Sequence, residues 1–230
     1  MSKVTLDMID KLIGKRVKDV YGRYIGYVAG LMVDGSSGSI SIGVDCGDKG
    51  FCEFPSEHIR FEGDNVILSP SWRIDVERLT KERMILQRRI QAIEELFNEG
   101  ELSIEEKDQL LKNYRERIVE LQKKIEQLKA FAEKRVSELD AQKKRLRDFL
   151  VNLKVQYKSG EISVEAFKGS SQFISLLLNR IEQERQDILN IGSSLESFTS
   201  EQSVYEVSDM KPSDKEQIED SGWLARILRK

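Results

Sequence analysis

The chain has 230 residues, 33% of them charged, and a formal net charge of -3. The charged fraction exceeds that of an average soluble protein and indicates long solvated helices, while the charge balance does not by itself predict strong nucleic-acid binding. No apolar run approaches the roughly 20 residues that cross a bilayer, and the first residues lack the apolar core and cleavage site of a signal peptide, so we expect a cytosolic protein.

Residues 1–70 are predicted to form a small β domain. Short apolar segments, "KRVKDV", "YIGYVAGLMVD", "SISIGVDC", "GFCEFP" and "NVILS", alternate with glycine turns, which is typical of a small barrel or sandwich. Lysine and arginine outnumber acidic residues six to three in 1–23, whereas acidic residues lead seven to two in 24–71. The predicted inward residues are Val17, Val20, Ile25 with Tyr27 or Val28, Ile40, Ile42, Val44, Val66 and Leu68.

The candidate chemical groups of this domain are few. Cys46 and Cys52 flank "GDKG", and a hairpin there would point the two thiols to opposite faces, which disfavours a disulfide and leaves two small buried side chains. His58 has no second ligand or nucleophile in the pattern, so we expect it to be structural. The sequence therefore predicts no catalytic residue, no metal site and no cofactor, and a protein that is not an enzyme.

Residues 71–198 are predicted to be a helical coiled-coil region, because apolar residues recur at steps of three and four with no proline between Trp72 and Phe198. Two similar segments, "NEGELSIEE" and "KSGEISVEA", interrupt it at Gly100 and Gly160. Each combines a glycine that ends a helix with a serine that begins the next one. The pattern predicts helices at about 72–98, 103–158 and 163–191, folded back as hairpins; the alternative is a fully extended parallel dimer.

The helical region carries more apolar residues than a narrow seam needs, and this surplus predicts self-association as a dimer or filament. The surplus residues are Phe131, Phe149, Phe167, Phe173 and the run "ISLLLN". A basic run is a candidate nucleic-acid or lipid contact, with the alternative that it is a solvated helix face between Asp140 and Asp148. This run consists of Lys143, Lys144, Arg145 and Arg147.

The C-terminal part divides into a polar and an apolar piece. Residues 199–222 are polar and acidic, with Pro212, which predicts a flexible, disordered linker. Residues 223–230, "WLARILRK", return to apolar character, and their apolar side chains share a face as a helix or as a strand. Such a segment is typical of a partner-binding peptide. The alternative is that the tail packs on the helical region of its own chain.

Two resemblances follow from these segments. "LIGKRVKDVYGRYIGYVAGLMVD", with the later "FP" and "GDNVIL", resembles the PRC-barrel domain, an adaptor module whose fold alone does not define a function. Together with the hairpinned coiled coil, the acidic linker and "SGWLARILRK", it makes the whole chain similar to the archaeal CdvA family of cell-division proteins. The resemblance implies an α+β fold, with a PRC-barrel-like β domain, a coiled coil with helix hairpins and a disordered tail.

The family resemblance also implies a function. CdvA-like proteins assemble into filaments at the division site and recruit the ESCRT-III homologue CdvB through the C-terminal peptide. The matching positions are Trp223, Leu224, Ala225, Arg226, Ile227, Leu228 and Arg229. The implied location is the cytoplasm, concentrated at mid-cell beneath the membrane, with at most peripheral membrane contact. DNA association is reported for the family, so the alternative is an architectural protein that forms filaments on DNA.

Overall fold

The computed structural model describes residues 12–63 and 65–200, and the side chains as far as residue 192. It has the predicted α+β fold, in which a sheet precedes three long helices. The strands are β1 (Arg16–Asp19), β2 (Tyr24–Val33), β3 (Ile40–Asp45), β4 (Phe51–Pro55), β5 (Ile59–Glu62) and β6 (Asn65–Leu68). The helices are α1 (Ser71–Asn98), α2 (Ile104–Lys158) and α3 (Val164–Ser200).

Contacts divide the chain into two units, Met1–Ile85 and Leu86–Lys230, so the division falls inside α1. The proposed domains at 1–70 and 71–198 stay a prediction. The helix ends lie close to the predicted ones for α1 and α2, while α3 continues past residue 191 to Ser200.

The sheet is curled. Its strand order is β4-β3-β2-β1-β6-β5, with β1 and β6 parallel and the other neighbours antiparallel. The two end strands of this order, β4 and β5, are consecutive in the chain and joined only by Ser56–His58. In a flat sheet they would be about 24 Å apart, whereas the chain from Pro55 to Ile59 spans at most about 14 Å. The sheet must therefore bend round on itself, as in a small barrel.

The core of the β unit lies inside this curl, and most of its members were predicted. Val17, Val28, Ile42 and Val44 are buried, and Ile25 and Ile40 pack against them. Of the other predicted inward residues, Val66 and Leu68 are buried on β6, whereas Val20, directly after β1, is half-buried and does not belong to this core. One strand was missed: β5 contributes Ile59 to the core.

A bulge decides between the two alternatives for β2. The register of β2 with β3 shifts between Val28 and Gly30, and that of β1 with β2 shifts between Val17 and Lys18. Val28 lies in the core, while Tyr27 lies on the outer face. A bulge adds a residue to one strand and changes which side chains face inward beyond it.

The prediction that the two thiols face opposite ways is wrong. In the observed register Cys52 pairs with Val44 and Phe51 with Asp45. Cys46, two residues after Val44, therefore lies on the same side of the sheet as Cys52. Both are free cysteines and half-buried rather than buried. Burial, together with the neighbouring Cys52 thiol, raises the pKa of Cys46 to about 11.

The two glycine turns between the helices have the same structure. Gly100 has φ 79° and Gly160 has φ 80°, in the left-handed region that favours glycine. At the first turn the Gly100 N–H donates to the Phe97 carbonyl and the Glu101 N–H to the Leu96 carbonyl. The second turn repeats this pair of bonds with Gly160 and Glu161. These bonds satisfy helix carbonyls that would otherwise lack donors.

The helix starts after these turns are also capped as predicted. The Glu106 N–H donates to the Ser103 hydroxyl at 3.3 Å, and the Glu106 carboxylate accepts the Ser103 N–H at 2.9 Å, which completes a capping box. The Ser163 hydroxyl accepts the Ala166 N–H at 3.1 Å. Each turn thus ends one helix and starts the next within a few residues.

Contacts across α2 and α3 confirm an antiparallel hairpin. Next to the turn the Tyr157 and Phe167 rings stack, with centroids 4.5 Å apart. Further along, Arg185 donates to Asp140 at 3.0 Å. The buried residues of the seam between α2 and α3 are Val136, Leu139, Leu153, Ile174, Ile181 and Ile188. At the other turn Lys107 lies 4.1 Å from the Phe97 ring centroid, so the end of α1 meets the start of α2.

Two ion pairs across this hairpin differ in burial. Arg135 donates to Glu184 at 2.7 Å, and the Glu184 side chain is only 4% exposed. Lys143 also pairs with Glu182, whose side chain is 43% exposed. The hydrogen bond that Arg135 donates to Glu184 raises the pKa of Arg135, and the hydrogen bond that Glu182 accepts from Lys143 lowers the pKa of Glu182. Removing the cationic donor of a buried carboxylate lowers the free energy of unfolding more than removing the donor of an exposed carboxylate. The reason is that water can take the place of the donor only at the surface.

We therefore expect Arg135→Ala to lower the free energy of unfolding by about 1–3 kcal/mol, and Lys143→Ala by less than about 1 kcal/mol. Urea unfolding followed by far-ultraviolet circular dichroism measures both. Lys143→Ala is the matched control, since it removes an ion pair across the same two helices. Equal losses would show that burial of Glu184 does not determine the effect.

Candidate functional site

The predicted partner-binding peptide, Trp223 to Arg229, lies outside the described residues, as does the linker after residue 200. Their assignment stays a prediction. Among the described residues, those that bear on function therefore lie on the surfaces of the helical hairpin and of the sheet.

One member of the basic run on α2 forms an ion pair across the hairpin. Lys143 pairs with Glu182, while Lys144, Arg145 and Arg147 are exposed. Lys143 and Arg147 are four residues apart and so share a face of α2, whereas Lys144 and Arg145 are rotated from Lys143 by about 100° and 200°. Asp140, just before the run, accepts a hydrogen bond from Arg185. A nucleic-acid or lipid contact by these residues stays a prediction.

The surplus apolar residues divide into packed and exposed ones. Phe167 packs on Tyr157 in the seam, and Ile174 of the run "ISLLLN" is buried. By contrast, Phe149 is 58% and Phe173 59% exposed. The other large apolar residues left exposed on the described parts of α2 and α3 are Ile104, Leu110, Val119, Phe131, Val151, Val155, Val164 and Leu176. A single seam thus leaves the Phe149 and Phe173 rings largely in water, which is costly unless a partner covers them.

Phe149 and Phe173 lie on the same side of the hairpin. On α2, Phe149 is six residues from Lys143 and so rotated by about 120° from it; on α3, Phe173 is nine residues from Glu182 and rotated by about 180°. The Lys143–Glu182 pair marks one flank of the seam, so both rings lie on the other flank. They also lie at the same level, because both are about equally far from the turn at Gly160. We call Phe149 and Phe173 the phenylalanine pair.

The centre of α2 is the best buried part of that helix. Ala132, Val136 and Leu139 are all buried there, and Leu139 is fully so. This stretch has few large apolar side chains, and a small one such as Ala132 allows close packing at this level.

His58 makes structural contacts. Its Nδ1 lies 3.3 Å from the Ser69 carbonyl oxygen, and its backbone carbonyl accepts the Ser69 N–H at 2.7 Å. These bonds join the turn between β4 and β5 to the end of β6. Among the described residues, no three His, Cys, Asp or Glu side chains come together as a metal site requires. No described helix is long and apolar enough to pass through a membrane.

Sequence reasoning missed a group of exposed aromatic residues on the outer face of the sheet, Tyr24, Tyr27 and Phe51. Tyr27 was an alternative core residue in the sequence analysis. The sequence of β4 contained a signal for this group. Successive side chains of a strand point to opposite sides, so Phe51 and Glu53 share the outer side of β4, opposite to Cys52 and Phe54.

Comparison with known proteins supports the arrangement. A family model described as the CdvA-like coiled-coil domain matches residues 71–219. The chain is also 24% identical to the Cell division protein A of Sulfolobus acidocaldarius over 210 residues, which cover 91% of this chain and 86% of that protein. The matched family region contains the whole of α1, α2 and α3. The chain therefore belongs to the family of CdvA-like coiled-coil proteins.

Proposed function

We propose that this protein is a non-enzymatic, polymerising scaffold of archaeal cell division that recruits an ESCRT-III homologue, CdvB, to the division site through its C-terminal peptide. The observation that carries the proposal is the family match, which extends over a helical hairpin whose phenylalanine pair no described residue covers. The similarity to a protein named for cell division supports the cellular role.

The hairpin has the properties of a self-association surface. Its two helices bury one seam between them and leave Phe149 and Phe173 side by side on one flank. Two hairpins that place these flanks face to face would form a four-helix bundle, in which each ring leaves water. The opposite flank holds Lys143, Glu182, Asp140 and Arg185 in ion pairs and stays solvated. The two flanks thus differ enough to select one side for the contact.

The C-terminal peptide has the composition of a docking motif. Within eight residues it combines Trp223, Ile227 and two leucines with three basic residues. Peptides of this length bind by adding a strand to a sheet or by placing a helix in a groove, with a large aromatic residue as anchor. A separate peptide can bind its partner while the hairpins associate, which is the property a recruiting scaffold needs.

We expect Trp223→Ala to weaken binding to CdvB by roughly thirty-fold or more, since truncation of an aromatic anchor typically costs 2 kcal/mol or more. Titration of purified CdvB against the full chain by calorimetry measures this. Lys230→Ala, in the same peptide but outside the predicted motif, is the control and should bind like wild type. Equal affinity of Trp223→Ala and wild type would remove the recruitment role, and a lower melting temperature would show that the tail packs on its own protein.

A second prediction concerns assembly. Phe149→Ser combined with Phe173→Ser should weaken self-association of the full chain, because the two changes remove the aromatic surface that the contact would bury. Sedimentation velocity across a concentration series measures the change. Val155→Ser is the control, since Val155 is equally exposed on α2 but lies on the face away from the seam. If the double variant assembles like wild type, the phenylalanine pair is not the contact.

A further inference from the structure

Two glycines lie side by side on the outer face of the sheet. Gly30 of β2 pairs with Gly43 of β3. Their neighbours Leu31 and Val44 face the core, so the glycines face outward. A Cβ added at Gly43 would lie 2.5 Å from the Phe51 ring, whereas a Cβ added at Gly30 would meet nothing within 4 Å. The ring therefore covers Gly43 and leaves open space above Gly30.

The side chains around this open space are apolar. Met32 follows Gly30 on the outward side of β2 and is 60% exposed, and Phe51 is 66% exposed although one side of its ring is covered. Tyr27 leans against Tyr24 instead of covering the glycine, since these two rings meet edge to face with centroids 5.5 Å apart. An aromatic side chain could therefore lie on the backbone here, between a thioether and a ring. We call Gly30, Gly43, Met32 and Phe51 the glycine notch.

The strands that form the glycine notch are acidic. Strands β2, β3 and β4 contain Asp45 and Glu53 but no lysine or arginine. The register places Glu53 beside Gly43 and Asp45 beside Phe51, and both carboxylates are exposed. Arg16 lies on β1, one strand beyond the notch. The notch thus suits an apolar group that is accompanied by positive charge.

The C-terminal peptide of this chain has that composition. It carries Trp223 with Arg226 and Arg229, and it contains no acidic residue. Glu53 lies two strands from Gly30, which is about 10 Å, and the three residues from Trp223 to Arg226 span about the same distance in an extended chain. Trp223 can therefore lie over Gly30 while Arg226 meets Glu53. We infer that the glycine notch binds the C-terminal peptide of its own chain.

The connection between the peptide and the described residues favours the chain's own peptide over that of a second copy. Residues 201–222, most of the predicted flexible linker, can extend over at most about 75 Å. A flexible connection of this kind holds a peptide at an effective concentration of roughly a millimolar. A second copy at micromolar concentration competes poorly with that, so a weak contact is enough to dock the chain's own peptide.

This inference rests on the proposed function and adds regulation to it. Trp223 cannot lie in the glycine notch and anchor the peptide on CdvB at the same time. Docking therefore lowers the apparent affinity for CdvB by the fraction of chains whose peptide is free. A peptide that is docked nine-tenths of the time would bind CdvB about tenfold more weakly than a free one.

Acrylamide quenching of tryptophan fluorescence in the full chain tests the docking. The chain has two tryptophans, of which Trp72 is buried, and Trp223→Ala identifies the emission of the other. Gly30→Gln places a side chain in the open space of the notch. The quenchable fraction of Trp223 emission and the affinity for CdvB should then rise by the same factor, about tenfold if the peptide is docked nine-tenths of the time. Gly35→Gln, in the turn after β2, also adds a side chain in open space and should change neither.

Charge reversal tests the same contact without changing the notch. Asp45→Lys with Glu53→Lys should expose Trp223 to the quencher, because the arginines of the peptide then meet like charges. Arg226→Glu with Arg229→Glu should do the same. All four changes together should protect Trp223 again, which also shows that the reversed sheet is folded.

Three results would overturn the inference. The first is a Trp223 that is fully quenchable in wild type, and the second is protection that persists in Gly30→Gln or is not restored by the fourfold variant. The third is protection that disappears on dilution, which would assign the contact to the peptide of a second copy. Circular dichroism melts check that each variant is folded. If Trp223→Ala binds CdvB like wild type while Trp223 is protected as expected, the recruitment role fails and the docking stands.

Discussion

The reversal of the chain at Gly160 is the constraint on which the helical unit depends. Its φ of 80° is one that other residues adopt only with strain, and the bonds of Gly160 and Glu161 to the end of α2 close that helix at once. Because α3 then runs back along α2, Leu139 and Ile188 become buried, and Phe149 and Phe173 come to one level. A continuous helix would place these last two residues some 36 Å apart.

The register of the hairpin needs more than apolar contacts. An apolar seam repeats about every seven residues, so two helices can slip by one repeat and still bury similar side chains. The pairs of Arg135 with Glu184 and of Asp140 with Arg185 oppose such a slip, since it would leave Glu184 buried without Arg135. Some of the charged residues that indicated solvated helices therefore also fix the register of α3 against α2.

Much of the fold could be predicted from the sequence, and the errors have local causes. The helix ends follow from Gly100, Gly160 and the Ser103–Glu106 box, which act within a few residues and so leave a clear pattern. The strand β5 was missed although Ile59–Glu62 alternates apolar and charged residues, because it is short and follows β4 closely. Bulges and turn lengths determine which side of the sheet Tyr27 faces and which residue Cys52 pairs with. A shift of one residue moves a side chain to the opposite side of the sheet, and the sequence does not reveal such a shift. The exposed group of Tyr24, Tyr27 and Phe51 could not be predicted for the same reason.

A protein whose exposed apolar surface binds any other apolar surface would aggregate. The charged side chains near the exposed aromatic rings of this chain oppose such unselective contacts. Burial of aromatic rings supplies much of the free energy of a contact but little selectivity. The basic strand β1 and the acidic Asp45 and Glu53 would repel a partner whose charges do not match, at a cost of several kcal/mol. On the hairpin, the phenylalanine pair is likewise separated from the flank that carries Lys143 and Glu182. The hairpin thus keeps its most exposed rings and these ion-paired side chains on different flanks, so that a contact made at the rings would not have to remove the charges from water.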